Sequence, residues 1–304
     1  MSLRVLYTAL VIAAVASPGQ SSVPAAPAPQ GDEAALREAA AAGSVPALLE
    51  IAELRSRRGD LGGTAEPLRL ALALAPNSER VLAAYAQTAM AARAPGQALL
   101  ALEPLSRMYP SVAQYAYLLG VAWMQLGDPA SAQPALERAR ELEPRRPLTL
   151  AALGIAHNQQ KRFAEAKQVL EEAIALAPDD AEVLGVLAEA EEGLGDRAAA
   201  EAHAKSALER APGQATGLLV LGLVRMQEQR YAEARQAFEG ALARSPDTAK
   251  THYQLSLACA RLGDRQCAAR EVERYQKAQR DVAANLVTLR TQSLENLQTG
   301  EPLP

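Results

Sequence analysis

The chain repeats one pattern of small, large apolar and polar residues every 34 positions. Prolines mark the repeat most plainly, because six of them share one register, at Pro76, Pro110, Pro144, Pro178, Pro212 and Pro246. A period of this length is typical of stacked helix–turn–helix units. With this proline at position 32 of each unit, the pattern predicts seven units, over 45–78, 79–112, 113–146, 147–180, 181–214, 215–248 and 249–278.

Within each unit, small residues hold positions 8 and 20, and large apolar residues hold position 7. Position 24 is also large and apolar in most units, at Leu68, Leu102, Leu136, Leu170, Phe238 and Val272, with Ala204 as the exception. Small side chains let two helices approach closely, and large side chains fill the space beside the crossing. The pattern therefore predicts two antiparallel helices, A and B, in every unit.

The turn residues support the same division. Gly127, Gly195 and Gly263 each precede an Asp, so that Gly ends helix A in a left-handed conformation and Asp caps helix B. The proline at position 32 cannot continue helix B and ends it. Three further prolines fall inside helix B of the first three units, where we expect kinked or shortened helices. These are Pro67, Pro104 and Pro134.

The segments outside the repeats predict an exported protein with capped ends. Residues 1–16 combine Arg4, an uncharged apolar run and a small residue at each side of Val15, which is typical of a secretory signal peptide. An uncleaved N-terminal anchor is the alternative. Residues 17–31 are predicted to be a Pro/Ala/Ser-rich linker. After cleavage we expect a periplasmic or secreted protein without a membrane span. The remaining segments are interpreted as an N-terminal cap helix, a C-terminal cap helix and a disordered tail, at 32–44, 279–298 and 299–304.

The register resembles the tetratricopeptide repeat family over residues 45–278. The resemblance rests on small residues at 8 and 20, apolar residues at 7 and 24, and proline at 32; it is strongest around Phe163 and Tyr231. It implies an all-α fold, a right-handed α-solenoid of about seven 34-residue helix–turn–helix repeats with capping helices at both ends. It also implies that ligands meet positions 2, 5, 9 and 12 of helix A, on the concave side.

Those four positions are largely apolar here, which favours a protein or peptide ligand with apolar side chains. The predicted partner-binding groove consists of Gln87, Met90, Tyr117, Val121, Met124, Ile155, Asn158, Glu189, Glu192, Leu219, Leu223, Met226, Tyr253 and Leu257. The alternative is that the superhelix closes tightly and these residues belong to the core. Lys is scarce at these positions apart from Lys250, so the family's clamp for a terminal carboxylate is not expected.

Composition and motifs argue against nucleic-acid binding and catalysis. Of 304 residues 35 are acidic and 31 basic, whereas a nucleic-acid groove needs a basic excess. His157, His203 and His252 lie in different units without metal-ligand spacing, and no phosphate-binding or nucleophile motif occurs. Carboxylate pairs such as Glu191 and Glu192 are interpreted as solvated faces. We therefore predict no catalytic residues, no metal and no cofactor.

Two cysteines, Cys259 and Cys267, lie on opposite sides of the Gly263 turn in the last unit. Export would permit their oxidation, and the turn could bring their α-carbons within bonding range. A disulfide bond and two buried free thiols both remain open.

The predicted function is a non-catalytic, exported scaffold or adaptor that holds another protein. One alternative is a self-associating structural scaffold, which would be a homo-oligomer. Another is a non-catalytic accessory subunit of an envelope assembly, secretion or glycosyltransferase complex.

Overall fold

The computed structural model describes residues 33–246 and 248–281, and this part of the chain is α-helical without strands. A short helix, α1 (Glu33–Ala41), precedes a series of helical hairpins. These are α2 (Val45–Arg57) with α3 (Leu61–Leu74), α4 (Glu79–Ala91) with α5 (Pro95–Met108), α6 (Ala113–Gln125) with α7 (Pro129–Leu142), α8 (Pro147–Gln159) with α9 (Phe163–Leu176), α10 (Ala181–Leu194) with α11 (Arg197–Arg210), α12 (Ala215–Gln227) with α13 (Tyr231–Arg244), and α14 (Ala249–Arg261) with α15, described over 265–281.

Each helix packs against the next one along the chain, and helices α8, α10 and α12 also pack against one another in order. The fold is a right-handed α-solenoid, as predicted. The exact number of repeats and their boundaries stay predictions. The predicted signal peptide, the linker and nearly all of the predicted C-terminal cap and tail lie outside the described residues.

The prolines of the 34-residue register end the B helices. Helix α9, for example, ends at Leu176, two residues before Pro178. Helix α15 has Arg280 at the corresponding position and is helical through residue 281, where the described residues end. The expected shortening at internal prolines is wrong, because α3, α5 and α7 each span 14 residues, like α9. The proline removes one backbone hydrogen-bond donor, but the helix continues because apolar side chains before and after the proline are buried.

A left-handed residue at position 15 closes every hairpin from α2/α3 to α14/α15. Glycine supplies it in the first, third, fifth and seventh hairpins, and Arg93, Lys161 and Gln229 supply it in the others, with φ of 58°, 59° and 61°. The turns at Gly127, Gly195 and Gly263 were predicted from the sequence, whereas those at Gly59 and at the three non-glycine residues were not. The Asp caps form as expected: Asp196 Oδ1, for example, accepts a hydrogen bond from the Ala199 amide at 3.2 Å.

The small residue at position 8 makes room for the large side chain at position 24 of the same hairpin. A Cβ atom at Gly154 would lie 2.4 Å from Leu170 Cγ, and one at Gly222 would lie 2.3 Å from Phe238 Cε1. From α2 to α10 the buried apolar side chains form one continuous core. Beyond α10 they form two smaller clusters, of which one contains Ala204 and the other Phe238.

Candidate functional site

The residues of the predicted groove fall into buried and accessible groups. Eight are buried: Met90, Tyr117, Val121, Met124, Ile155, Asn158, Leu219 and Leu223. Three are half-buried: Glu189, Glu192 and Met226. Three are exposed: Gln87, Tyr253 and Leu257. Gln87 lies on α4, far along the chain from the other two.

The buried members belong to the solenoid core, as the tight-closing alternative describes. Met124 is only 1% exposed and is part of the continuous core. Tyr117 is buried beneath the Arg146 guanidinium, whose carbon lies 4.7 Å from the ring centroid. The Asn158 amide donates a hydrogen bond to the Val186 carbonyl oxygen at 2.9 Å. In these hairpins the concave side chains therefore contact the next A helix and are not available to a partner.

All accessible members except Gln87 lie on α10, α12 and α14, and together with Lys250 they form what we term the C-terminal groove. It consists of Glu189, Glu192, Met226, Lys250, Tyr253 and Leu257. Tyr253 is 44% exposed and Leu257 38%, and they lie one helical turn apart on α14. Two large apolar side chains of the predicted groove are thus partly exposed on α14, and the Tyr253 ring also packs against Tyr275 of α15, with ring centroids 5.4 Å apart.

A salt bridge crosses this groove above α12. Lys250 Nζ lies 2.8 Å from Glu189 Oε1, although the two residues are 61 positions apart and belong to α14 and α10. Next to it, Gln227 Nε2 lies 3.5 Å from Glu192 Oε1, and Arg197 Nε donates to Gln227 Oε1 at 2.7 Å. Polar contacts therefore link α10 to α14 and to α12 near the N-terminal end of the exposed apolar pair on α14.

The pKa values of the groove residues reflect this arrangement. Burial raises the pKa of the Glu192 carboxyl above its usual range, and the charge of Lys250 only partly opposes this. Burial alone would lower the pKa of Lys250, but the Glu189 and Glu192 carboxylates raise it above its usual value. Lys250 is therefore charged at neutral pH, beside two carboxyl groups.

Two buried carboxylates elsewhere escaped the sequence analysis. Glu191 is 1% exposed, and its carboxylate lies 2.7 Å from His203 Nδ1 and 3.4 Å from Lys167 Nζ. The interpretation of Glu191 and Glu192 as a solvated face is therefore wrong for Glu191. Helical phase explains this, since Glu191 at position 11 of its unit points toward helix B, where His203 holds position 23.

The second buried carboxylate is Glu271 on α15. It lies 2.8 Å from His252 Nδ1, 2.9 Å from Arg270 Nε and 3.2 Å from Arg274 Nη1. The other ring nitrogen of His252 lies 2.7 Å from the Pro246 carbonyl oxygen. Both His252 and Glu271 are thus enclosed by their own hairpin, which favours a structural role. The third histidine, His157, is also buried, and burial lowers its pKa.

The two cysteines are joined in the structure. Cys259 and Cys267 form a disulfide bond across the Gly263 turn, with their α-carbons 5.8 Å apart. Both side chains are buried beside Phe238 in the cluster formed by α12 to α15. The bond closes the last described hairpin covalently.

Within residues 33–246 and 248–281, the titratable side chains form no cluster of three or more that could hold a metal ion. None of the helices in this part of the chain is both long and apolar enough to cross a bilayer. The C-terminal groove combines an exposed apolar pair with charged side chains at its edge.

Comparison with known proteins supports the fold. Two sequence models described as tetratricopeptide repeat match the chain, one over residues 124–190 and the other over 84–132, 186–249 and 219–283. No curated protein is significantly similar to it in sequence.

Several solved structures share the architecture at low sequence identity. The MamA protein is 24% identical and has a TM-score of 0.52, over 56% of this chain and 93% of that chain. A tetratricopeptide repeat protein from Parabacteroides merdae ATCC 43184 is 16% identical, with a TM-score of 0.58 over 74% and 90% of the two chains. PilW, described as a widely conserved type IV pilus biogenesis factor, is 18% identical, with a TM-score of 0.54 over 68% and 96%.

These likenesses show the fold, and members of this family are typically non-catalytic scaffolds for protein interactions. The 34-residue register, the packing of positions 8 and 24 and the matching sequence models agree with one another. The chain belongs to the tetratricopeptide repeat family.

Proposed function

We propose that this chain is a non-catalytic, exported adaptor that binds a protein or peptide segment in the C-terminal groove. The observation that carries the proposal is the exposure of Tyr253 and Leu257 on the concave helix α14. Large apolar side chains exposed side by side on a concave surface favour a ligand that covers them. The buried stripe farther toward the N-terminus supports the solenoid itself.

Cross-linking at two matched sites tests this proposal. A photoreactive amino acid is placed at Leu257 in the groove or at Leu262, which is 43% exposed and lies in the turn after α14. In cells that produce the chain natively, we expect a cross-linked protein at 257 and much less at 262, identified by mass spectrometry. Equal products at both sites, or a second copy of this chain as the main product, would contradict the adaptor proposal.

A substitution pair shows whether the groove itself binds the captured partner. Leu257→Asp should abolish recovery of that partner, whereas Leu262→Asp should leave it unchanged. Both side chains are already partly solvated, so both variants should keep the helical circular dichroism and the melting temperature of the parent within a few degrees. Retained binding by Leu257→Asp would place the contact elsewhere.

Export is the second element of the proposal. It is supported by the charged, apolar and small-residue order of positions 1–16 and by the disulfide, because disulfides persist in oxidising compartments. N-terminal sequencing of the protein from its native cells should find Ser17 as the first residue. A retained Met1 in a membrane fraction would indicate an anchor, and a reduced chain in the cytoplasm would refute export.

A further inference from the structure

We infer that the C-terminal groove selects segments in which a Lys or Arg side chain stands beside apolar side chains. This inference rests on the proposed function and adds the chemistry of its ligand. It starts from the three charged side chains at the edge of the groove, namely Glu189, Glu192 and Lys250. Their combined charge is negative, because one cation faces two carboxylates.

The two carboxylates are not equivalent. Lys250 forms its salt bridge with Glu189. Glu192 is half-buried, and among the described residues no cationic nitrogen forms a salt bridge with it; its hydrogen-bond contact is Gln227 at 3.5 Å. Lys250 acts on Glu192 only through its charge, because its salt bridge is with Glu189, so the partly desolvated Glu192 carboxylate is incompletely compensated. A cation from a ligand would supply the missing charge-assisted hydrogen bonds.

The position of Glu192 relative to the apolar pair sets the order of ligand side chains. The salt bridge places Lys250 of α14 opposite Glu189 of α10. The A helices of a solenoid run in the same direction, so Tyr253 and Glu192 each follow one turn later on their helices. Tyr253 and Leu257 lie about one and two turns after Lys250 on α14, and the Tyr253 ring also packs against Tyr275 of α15, with ring centroids 5.4 Å apart. If a basic side chain of the ligand binds at Glu192, the apolar side chains next to it in the ligand can contact the exposed apolar pair on α14.

An acidic ligand is disfavoured by the same geometry. A carboxylate that approached Lys250 would also meet Glu189 and Glu192, both of which interact electrostatically with this lysine. Like charges brought together at a partly desolvated site oppose binding. The groove thus presents negative charge to a ligand, whereas a clamp for terminal carboxylates presents positive charge.

The test is selection of short random peptides on the full-length chain, followed by affinity measurement. Selected peptides should be enriched in Lys or Arg within two positions of a large apolar residue. Glu189→Gln with Glu192→Gln should weaken the best peptide about tenfold or more, as expected for a lost charge-assisted contact. A matched control, Glu209→Gln with Glu273→Gln, changes the net charge equally at two exposed sites on α11 and α15.

The outcomes separate this inference from the proposed function. One outcome is that the selected peptides lose binding in Leu257→Asp and yet are enriched in acidic residues or in no charged residue. That result would leave the proposed groove supported and would overturn the inferred ligand chemistry. Equal weakening in both double variants would show a general charge effect and would also overturn it. If no peptide is enriched, or if binding ignores Leu257→Asp, the proposed groove itself is refuted. Circular dichroism of each variant checks that the fold is intact.

Discussion

The two ends of this solenoid are held together differently. From α2 to α10 the buried apolar side chains form one continuous core, and the concave side chains of α6 and α8 are part of it. From α10 to α15 the apolar clusters are smaller, and buried ion pairs at Glu191 and Glu271 and a disulfide accompany them. One repeat register therefore builds a region with a continuous apolar core beside a region with smaller clusters, whose last A helix keeps apolar side chains exposed.

The largest effect is expected from removal of the buried Glu271 carboxylate. Glu271→Ala leaves the buried His252 ring and the Arg270 and Arg274 guanidinium groups without their carboxylate partner, and removal of one partner from a buried charged contact typically costs about 3–5 kcal/mol. Hydrogen exchange should show the loss as easier opening of α14 and α15, with α6 to α9 unaffected. Glu273→Ala, on the exposed side of the same helix, is the control and should change stability little. Uniform destabilisation of all helices would contradict the division into two regions.

Acid should act on the same hairpin. Burial alone would raise the pKa of Glu271, but hydrogen bonds from Arg270 and His252 lower it below its ordinary value of 4.5. The folded-state pKa is thus below the unfolded one, so this stabilisation is present above about pH 4.5 and is lost as the pH falls through the folded pKa. Hydrogen exchange across this range should show α14 and α15 opening first, and Glu271→Gln should remove that selective sensitivity.

The continuous core is tested by Leu170→Ala. Leu170 is fully buried against Gly154, and truncation of such a leucine costs about 2–5 kcal/mol. We expect faster exchange throughout α6 to α10, because these helices share one core. Leu194→Ala, at a leucine that is largely exposed, is the matched control in urea unfolding. A loss confined to α8 and α9 would indicate that the core is divided there too.

Reduction of the disulfide is expected to have a smaller and more local effect. The bond joins residues 8 positions apart, and closing so short a loop contributes about 2–3 kcal/mol. Reduction should destabilise α14 and α15 and leave the rest of the chain unchanged in hydrogen exchange. The native protein should not react with a thiol reagent under denaturing, non-reducing conditions. Complete labelling of Cys259 and Cys267 there would show that the bond is absent.

The smallest effect on stability is expected at the salt bridge that crosses the groove. Lys250→Met removes a partly exposed ion pair, and such pairs contribute about 0–1 kcal/mol. Stability should therefore change little, whereas binding of a basic peptide should strengthen, because Glu189 loses its partner. Lys277→Met, at an exposed residue of α15, controls for the change in net charge. Weaker binding by Lys250→Met would contradict the ligand chemistry inferred here.

The helix ends and several of the turns could be predicted because they depend on short sequence motifs. Proline at position 32 ends a helix, and Gly before Asp forms the turn at Gly127, Gly195 and Gly263, so helix boundaries follow from a few neighbouring residues. The turns at Arg93, Lys161 and Gln229 were not predicted, because these residue types do not favour a left-handed conformation. In those hairpins the packing of the flanking helices imposes the turn.

The repeat length, the pairing of small position 8 with large position 24 and the family could be predicted from the sequence, because each depends on contacts within one unit or with the next. Which side chains of the predicted groove are buried could be seen only in the folded chain. Met124 and Leu257 both belong to the predicted groove, yet only Leu257 is accessible. The reason is their place in the stack: Met124 lies on α6, which α8 follows, whereas Leu257 lies on α14, the last A helix of the described residues.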